Sequence, residues 1–179
     1  VVYRWGSPTL RYEMKSTSKS IGGLALLLAL DENRLALAER AVDPLPMFGT
    51  EPSVDTSPVS SGSLSDITLL QLATHTAGFS KSDDTDIDPR QLLYTPASTW
   101  LYSDQGVNWL ADALTTTWAE DLDTFLFSRV FTTMGFVRSD IQWRNNPYRT
   151  PNLSVNGSPV ARREFGSGIH ANVNAMARI

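Results

Sequence analysis

The segment Ser16 to Leu30, STSKSIGGLALLLAL, constrains this chain more than any other. From Ile21 onward every residue in it is apolar or glycine, so a helix here has no polar side and is expected to be buried rather than to lie on a surface. The run is about half the length a bilayer crossing needs, so no membrane span is expected. Gly22 and Gly23 each cost a helix roughly 1 kcal/mol, which predicts that another element packs very close to them.

At the front of this helix stands Ser16-Thr17-Ser18-Lys19. Residues three apart share a helix face, so the Lys19 amine can reach the Ser16 hydroxyl one turn earlier. If Ser16 opens the helix, unsatisfied N–H groups and the positive dipole end favour negative charge on the serine oxygen. Burial favours the neutral amine, which could take the serine proton. The plainer alternative has Lys19 in water and Ser16 merely capping the helix. An S-x-x-K string arises by chance about once in a chain of this size, so position carries the argument: a lysine between a strand-like segment and an apolar helix is out of place.

Around this helix the pattern alternates between short elements and loops. Val1 to Trp5 and Thr9 to Met14 read as short strands, and 43–62, rich in Pro, Ser and Gly, reads as a long loop. Asp66 and Thr68 can cap a short helix through Ala73 that Gly78 ends, and an acidic loop, 80–89, follows. Ser103 or Asp104 can cap a helix carrying Val107, Leu110, Ala111 and Leu114 on one face. Leu122, Phe125, Leu126, Val130 and Phe131 mark a further amphipathic helix, and another starts near His170 or Asn172 and is still periodic at Ile179.

Composition removes several functions. The 179 residues, 41% of them apolar, suit one folded domain, and a formal charge of -4 without a basic stripe argues against nucleic acid as a partner. There is no cysteine, which removes disulfides, thiolate catalysis and Cys-based zinc sites; His75 and His170 lie far apart and in no metal-ligand spacing. No metal and no cofactor are expected. The opening VVYRWG has neither the charge nor the hydrophobic block of a signal peptide.

Tyr102, just before the helix that Ser103 or Asp104 caps, is a second reactive candidate. A free phenol loses its proton near pH 10, so it could act as a base only beside a cation such as Lys19.

Four segments together carry a resemblance. MKSTSKSIGG resembles the nucleophile segment of serine β-lactamase-like hydrolases, ITLLQLATHTAGF their I-T-x-x-x-L-L-T-H-T-S-G-L segment, and PASTWLYSDQGVNWLADAL their P-G-x-x-x-x-Y-S-N-x-G-x-x-L-L-G segment. GSGIHANVNAMARI resembles the G-G-L-x-S-T-A-x-D-M-A-R-F segment that follows in the same group. All four stand in the correct order and span nearly the whole chain. The group is that of penicillin-binding proteins, class C β-lactamases and family VIII carboxylesterases.

The resemblance implies an α+β fold in which an antiparallel sheet flanked by helices joins a mostly helical region. It places a single domain over 1–179: 1–15 at the sheet edge, 16–165 as the nucleophile helix and helical region, and 166–179 returning toward the sheet. The chain then reads as an interior portion, incomplete at both ends. The implied chemistry is acyl transfer on a small-molecule ester, amide or β-lactam, with Ser16 as nucleophile and Lys19 and Tyr102 shuttling its proton. By the same resemblance the His75 to Gly78 turn is structural.

Two departures qualify this. Asp104 stands where the group carries an Asn that touches substrate and lysine; it could pair with Lys19 or cap its own helix, and as a carboxylate it cannot donate. The K-T-G or H-x-G strand that forms one cleft wall and donates an oxyanion-hole N–H is not found among these residues. Alternatives are therefore a D-alanyl peptidase or transpeptidase, and a non-catalytic binding relative.

Overall fold

The structure is a computed structural model that describes residues 5–49, 64–81 and 92–179. Most of the strand expected at Val1 to Trp5, and most of the loops expected over 43–62 and 80–89, lie outside these residues.

Five helices and five strands organise the described chain. The helices are α1 (Thr17–Asp31), α2 (Leu69–Ala73), α3 (Asp104–Trp118), α4 (Leu122–Leu126) and α5 (Val173–Met176). The strands are β1 (Tyr12–Glu13), β2 (Ile141–Trp143), β3 (Asn152–Val155), β4 (Ser158–Ala161) and β5 (Ile169–Ala171). β5 lies between β1 and β2 in an antiparallel sheet, with Glu13 and Gln142 both opposite His170, and β3 and β4 form a separate hairpin. The strand expected over 9–14 is thus only two residues long, and the region 16–165 contributes β2 and the hairpin as well as helices.

Local chemistry accounts for most element ends. Thr68 and Gln71 form a reciprocal capping box at α2, Ser103 Oγ accepts the Gly106 N–H at 2.8 Å at α3, and Asn172 Oδ1 accepts the Ala175 N–H at 2.8 Å at α5. His170 therefore belongs to β5 and the following helix starts after Asn172. Gly78 takes φ +93°, and a methyl there would sit 2.1 Å from the Tyr94 carbonyl oxygen, so only glycine fits that turn. The helix expected through Phe131 continues past α4 only as a wider π turn over Phe127–Phe131, with the Thr132 N–H reaching back to the Phe127 carbonyl at 2.9 Å. The beginning of the expected loop 43–62 also has structure: Pro46–Gly49 is a 3-10 turn that buries Phe48 against Phe79 and Trp109.

The most buried helix is not the one the apolar run suggests. α1 buries Ser18, Ile21, Gly22, Ala25, Leu26 and Ala29, but its opposite side is open, with Leu27 60% exposed. α3 is instead buried at every residue from Gln105 to Thr115, including four polar ones. Each of those has a partner inside. Gln105 Oε1 accepts the Ser80 hydroxyl, and Asn108 Oδ1 accepts the Phe165 N–H at 2.7 Å. Asp112 lies 3.2 Å from Arg149 and 3.3 Å from Arg162, and Thr115 Oγ1 donates to the Ala111 carbonyl at 2.8 Å. Paired polar groups can be buried at little cost, so a stripe that reads as a solvent face is an interior one.

α1 is held against the sheet by close packing and one hydrogen bond. A methyl added at Gly22 would lie 2.9 Å from Trp143 Cη2 and 3.0 Å from the Phe165 ring, whereas nothing lies within 4 Å of one added at Gly23. The expected close approach holds for Gly22 and fails for Gly23. One turn earlier, the buried Ser18 Oγ accepts the Ile169 N–H at 2.9 Å, tying α1 to the central strand. Overpacking at such a contact typically costs about 1–3 kcal/mol, while removing an unneeded helical glycine gains up to about 1 kcal/mol. Urea titration should therefore show Gly22→Val destabilised by about 1–3 kcal/mol and Gly23→Ala unchanged or stabilised.

Candidate active site

Ser16, Lys19 and Tyr102, separated by up to 86 positions, meet at the start of α1. Ser16 is the residue preceding the helix; its hydroxyl makes no capping bond and is instead 2.5 Å from the Tyr102 hydroxyl. The reading in which Ser16 merely caps the helix is thus not the one realised. Lys15, before it, adopts φ +49°, a left-handed conformation uncommon for a side-chain-bearing residue, which turns the chain from β1 into α1.

That turn also uses the first helical amides. The N–H groups of Thr17, Ser18 and Lys19 donate to the carbonyls of Met14, Lys15 and Ser16 at 3.2, 3.0 and 3.1 Å. These three are therefore not the free donors expected at the helix start. The Ser16 N–H itself donates to no group among the described residues.

Lys19 has the surroundings of an ammonium. Its side chain is only 13% exposed, and Nζ donates to Asp104 Oδ1 at 2.5 Å, to the Gly166 carbonyl at 2.7 Å and to Ser16 Oγ at 3.4 Å. Three acceptors match the three N–H bonds of an ammonium, and one of them is a carboxylate. Lys19 does not point into water. The same nitrogen lies 4.6 Å from the centre of the Tyr102 ring, placing a cation against the phenol.

Asp104 resolves its two expected roles in favour of the ion pair. Ser103 caps α3, leaving the Asp104 carboxylate free to reach Lys19 from the first turn. Its N–H donates to the Lys81 carbonyl at 2.7 Å.

Two contributors, Gly166 and Asn108, escaped the sequence, and a third, His75, was legible there only as part of a structural turn. Gly166 supplies a carbonyl to Lys19 and leaves room for Asp104: a methyl at Gly166 would lie 2.7 Å from Asp104 Oδ1. Asn108 holds that segment through the Phe165 amide and more weakly through the Gly166 amide. His75 stacks on Tyr102 with ring centres 4.8 Å apart, and its Nδ1 accepts the Ser103 N–H at 3.1 Å. Backbone acceptors carry no side-chain signature; the only available hint was the position of Gly166 at the head of the fourth family-like segment.

Burial holds the His75 imidazole below its ordinary proton affinity, the Lys19 ammonium adds to this, and the Ser103 backbone contact and Asp104 oppose it. Among the described residues no group of three or more His, Asp or Glu side chains could hold a metal ion, and no helix is long and apolar enough to cross a membrane.

An antiparallel sheet set against helices, with the serine-bearing helix pinned between them, is a mixed α/β arrangement of the β-lactamase and transpeptidase-like kind. The family model described as Beta-lactamase matches residues 1–179, and the chain belongs to that family. Structures similar to it include a beta-lactamase from Mycobacterium bovis (TM-score 0.63, 17% identity, covering 99% of this chain and 49% of that one). A D-stereospecific amidohydrolase from Streptomyces sp. is similar at TM-score 0.67 and 14% identity, over 94% of this chain and 59% of that one. A beta-lactamase/D-alanine carboxypeptidase from Pseudomonas syringae is similar at TM-score 0.68 and 16% identity, over 97% and 51%. The chain spans about half the length of these relatives. A search of curated proteins found no match.

Two outcomes follow from this geometry. Gly166→Ala pushes the Asp104 carboxylate off Lys19 and should lower stability by about 1–3 kcal/mol. Asp104→Ala in the same chain should recover part of that loss, a non-additivity readable in a double-mutant denaturation cycle. For His75 the folded state binds its proton less readily than the unfolded chain, so its contribution is present above about pH 6.5 and is lost as pH falls through the lowered folded value. Melting curves from about pH 8 to about pH 5 should show a drop in Tm below the ordinary histidine range that is smaller in His75→Asn.

Proposed function

We propose that this chain carries the nucleophile region of a serine hydrolase that cleaves esters or amides through an acyl-enzyme. The observation that carries the proposal is the 2.5 Å contact between the Ser16 and Tyr102 hydroxyls, with the Lys19 nitrogen 3.4 Å from the Ser16 oxygen and 4.6 Å from the centre of the Tyr102 ring. A serine hydroxyl becomes a nucleophile only when a base takes its proton, and here the oxygen in position to do so is the phenol of Tyr102.

In the proposed cycle Tyr102, as phenolate, takes the Ser16 proton while Oγ bonds to the substrate carbonyl carbon. The Lys19 ammonium offsets the negative charge that the site carries, first on the phenolate and then on the tetrahedral adduct. Tyr102 returns the proton to the departing alcohol or amine as its bond to carbon breaks, leaving Ser16 acylated. Water then gives a proton to Tyr102 and attacks the acyl carbon; the proton passes to Ser16 as the acid leaves. Lys19 donates to Asp104 and to the Gly166 carbonyl, which leaves the Tyr102 phenol as the group placed to act as base.

Asp104 favours small esters over β-lactams. Its carboxylate accepts from Lys19 and has no N–H to offer a substrate carbonyl, unlike an asparagine amide at the same place. A D-alanyl peptidase would use the same three groups; that reading is supported by the D-stereospecific amidohydrolase and the D-alanine carboxypeptidase among the similar structures.

The test uses the full-length protein with a fluorophosphonate probe, p-nitrophenyl butyrate, nitrocefin and a D-alanyl dipeptide. Labelling at Ser16, its loss in Ser16→Ala, and a fall in kcat of about 10²–10⁴ in Tyr102→Phe are expected. Unlabelled Ser16 together with undiminished hydrolysis by Ser16→Ala would sink the proposal and leave a non-catalytic binding role. Faster turnover of nitrocefin or of the dipeptide than of the ester would reverse the substrate preference.

A further inference from the structure

We infer that His75 is the positioning residue for Tyr102, holding the phenol oxygen against Ser16 through bonds to the backbone on both sides of it. The inference rests on the reading of Tyr102 as the proton carrier and extends it to a residue that touches neither the serine nor the substrate carbonyl.

Its basis is a clamp with three points. The His75 carbonyl accepts the Leu101 N–H at 3.0 Å, and the His75 Nδ1 accepts the Ser103 N–H at 3.1 Å, so the amides flanking Tyr102 are both held by one residue. The imidazole then lies on the Tyr102 ring at 24° to it, while the Trp100 ring meets its edge at 6.1 Å between centres. Fixing residues 101 and 103 removes the backbone freedom that would let the phenol swing, and the stacked ring limits its side-chain rotation.

The backbone at His75 is bent to make this possible. It adopts φ +62°, a left-handed conformation that costs a residue of this size and is retained where surroundings demand it. From there its carbonyl and its ring both face the 101–103 segment. A helix-ending turn alone would not require an imidazole: Thr74 already closes α2, and Gly78 makes the tight approach to Tyr94.

The clamp requires the tautomer with its proton on Nε2, because Nδ1 is an acceptor. Protonation would set an N–H on Nδ1 against the Ser103 N–H and break the bond. The charged groups facing His75 are Lys19 from α1 and Asp104 from α3; burial and then Lys19 disfavour that proton, and the Ser103 backbone contact and, less, Asp104 oppose them without reversing the direction.

The experiment measures ester hydrolysis by the full-length protein and compares His75→Phe, His75→Asn and Tyr102→Phe, alone and combined. His75→Phe keeps the stacked ring and loses the acceptor; His75→Asn keeps an acceptor and tolerates the left-handed backbone. We expect His75→Phe to lower kcat by about tenfold to a hundredfold with little change in KM, as for a misplaced catalytic group. His75→Asn should recover most of that loss. In the Tyr102→Phe background His75→Phe should cost almost nothing further, since the group it positions is gone. Undiminished kcat in His75→Phe, or losses that multiply in the double variant, would overturn the inference. A parallel fall in kcat and in thermal stability that His75→Asn does not reverse would equally overturn it by reducing His75 to a structural role. If Tyr102→Phe itself retains full activity, the failure lies in the reading of Tyr102 as base and not in the clamp.

Discussion

Three acceptors from different parts of the chain converge on the Lys19 ammonium: the Asp104 carboxylate from the start of α3, the Gly166 carbonyl from the segment before β5, and the Ser16 hydroxyl from its own helix. A buried ammonium without a counter-charge is costly, so these elements are held together by the need to satisfy one side chain. The pairing also sets the electrostatics of the site. With Asp104 beside it, the Lys19 nitrogen is paired to a carboxylate and held 4.6 Å from the centre of the Tyr102 ring. Gly166 is small because Asp104 occupies the space where its side chain would be.

Around this point the fold works as a set of brackets. The Ser18 hydroxyl pins α1 to β5, while Trp143 and Phe165 close on Gly22. Trp143 is in turn held by its indole N–H to the Glu164 carbonyl at 2.6 Å and by its amide to Asp123 at 2.8 Å. On the other side of the site the 75–81 segment grips the approach to α3 through four bonds, from Leu101 and Ser103 to His75, from Ser103 Oγ to Ser80, and from Asp104 to Lys81. Ser16 and Tyr102 thus arrive at 2.5 Å from two separately braced segments. Such bracing from behind lets a site keep its geometry without spending its own polar groups.

Both the mixed α/β fold class and the four side chains that meet at the start of α1 were legible in the sequence. Ser16, Lys19, Tyr102 and Asp104 could be named because each lies in a short ordered segment with a family likeness, and the i, i+3 spacing already put the first two on one face. The architecture misled in two instructive places. α1 looks buried on all sides because its residues are apolar, yet Leu27 is open; α3 looks half-solvated because Gln105, Asn108, Asp112 and Thr115 are polar, yet all four are interior. Periodicity reports side-chain polarity, whereas burial depends on whether a polar group finds a partner, and those partners come from residues tens of positions away.

By itself the sequence determined what is local: the helix after Ser16, the helix caps at Thr68, Ser103 and Asn172, the glycine turn at Gly78, and the residue types available for chemistry. Those follow from backbone sterics and from hydrogen bonds that span a few residues. Only the tertiary structure decided that Asp104 pairs with Lys19, that Lys19 is a charged hub, that Gly166 lends a carbonyl, and that His75 lies on the Tyr102 ring. Each of these is a contact between segments 27 to 147 residues apart. Such contacts exist because packing α1, α3 and β5 around one core brings the segments within reach, and no local rule specifies that meeting.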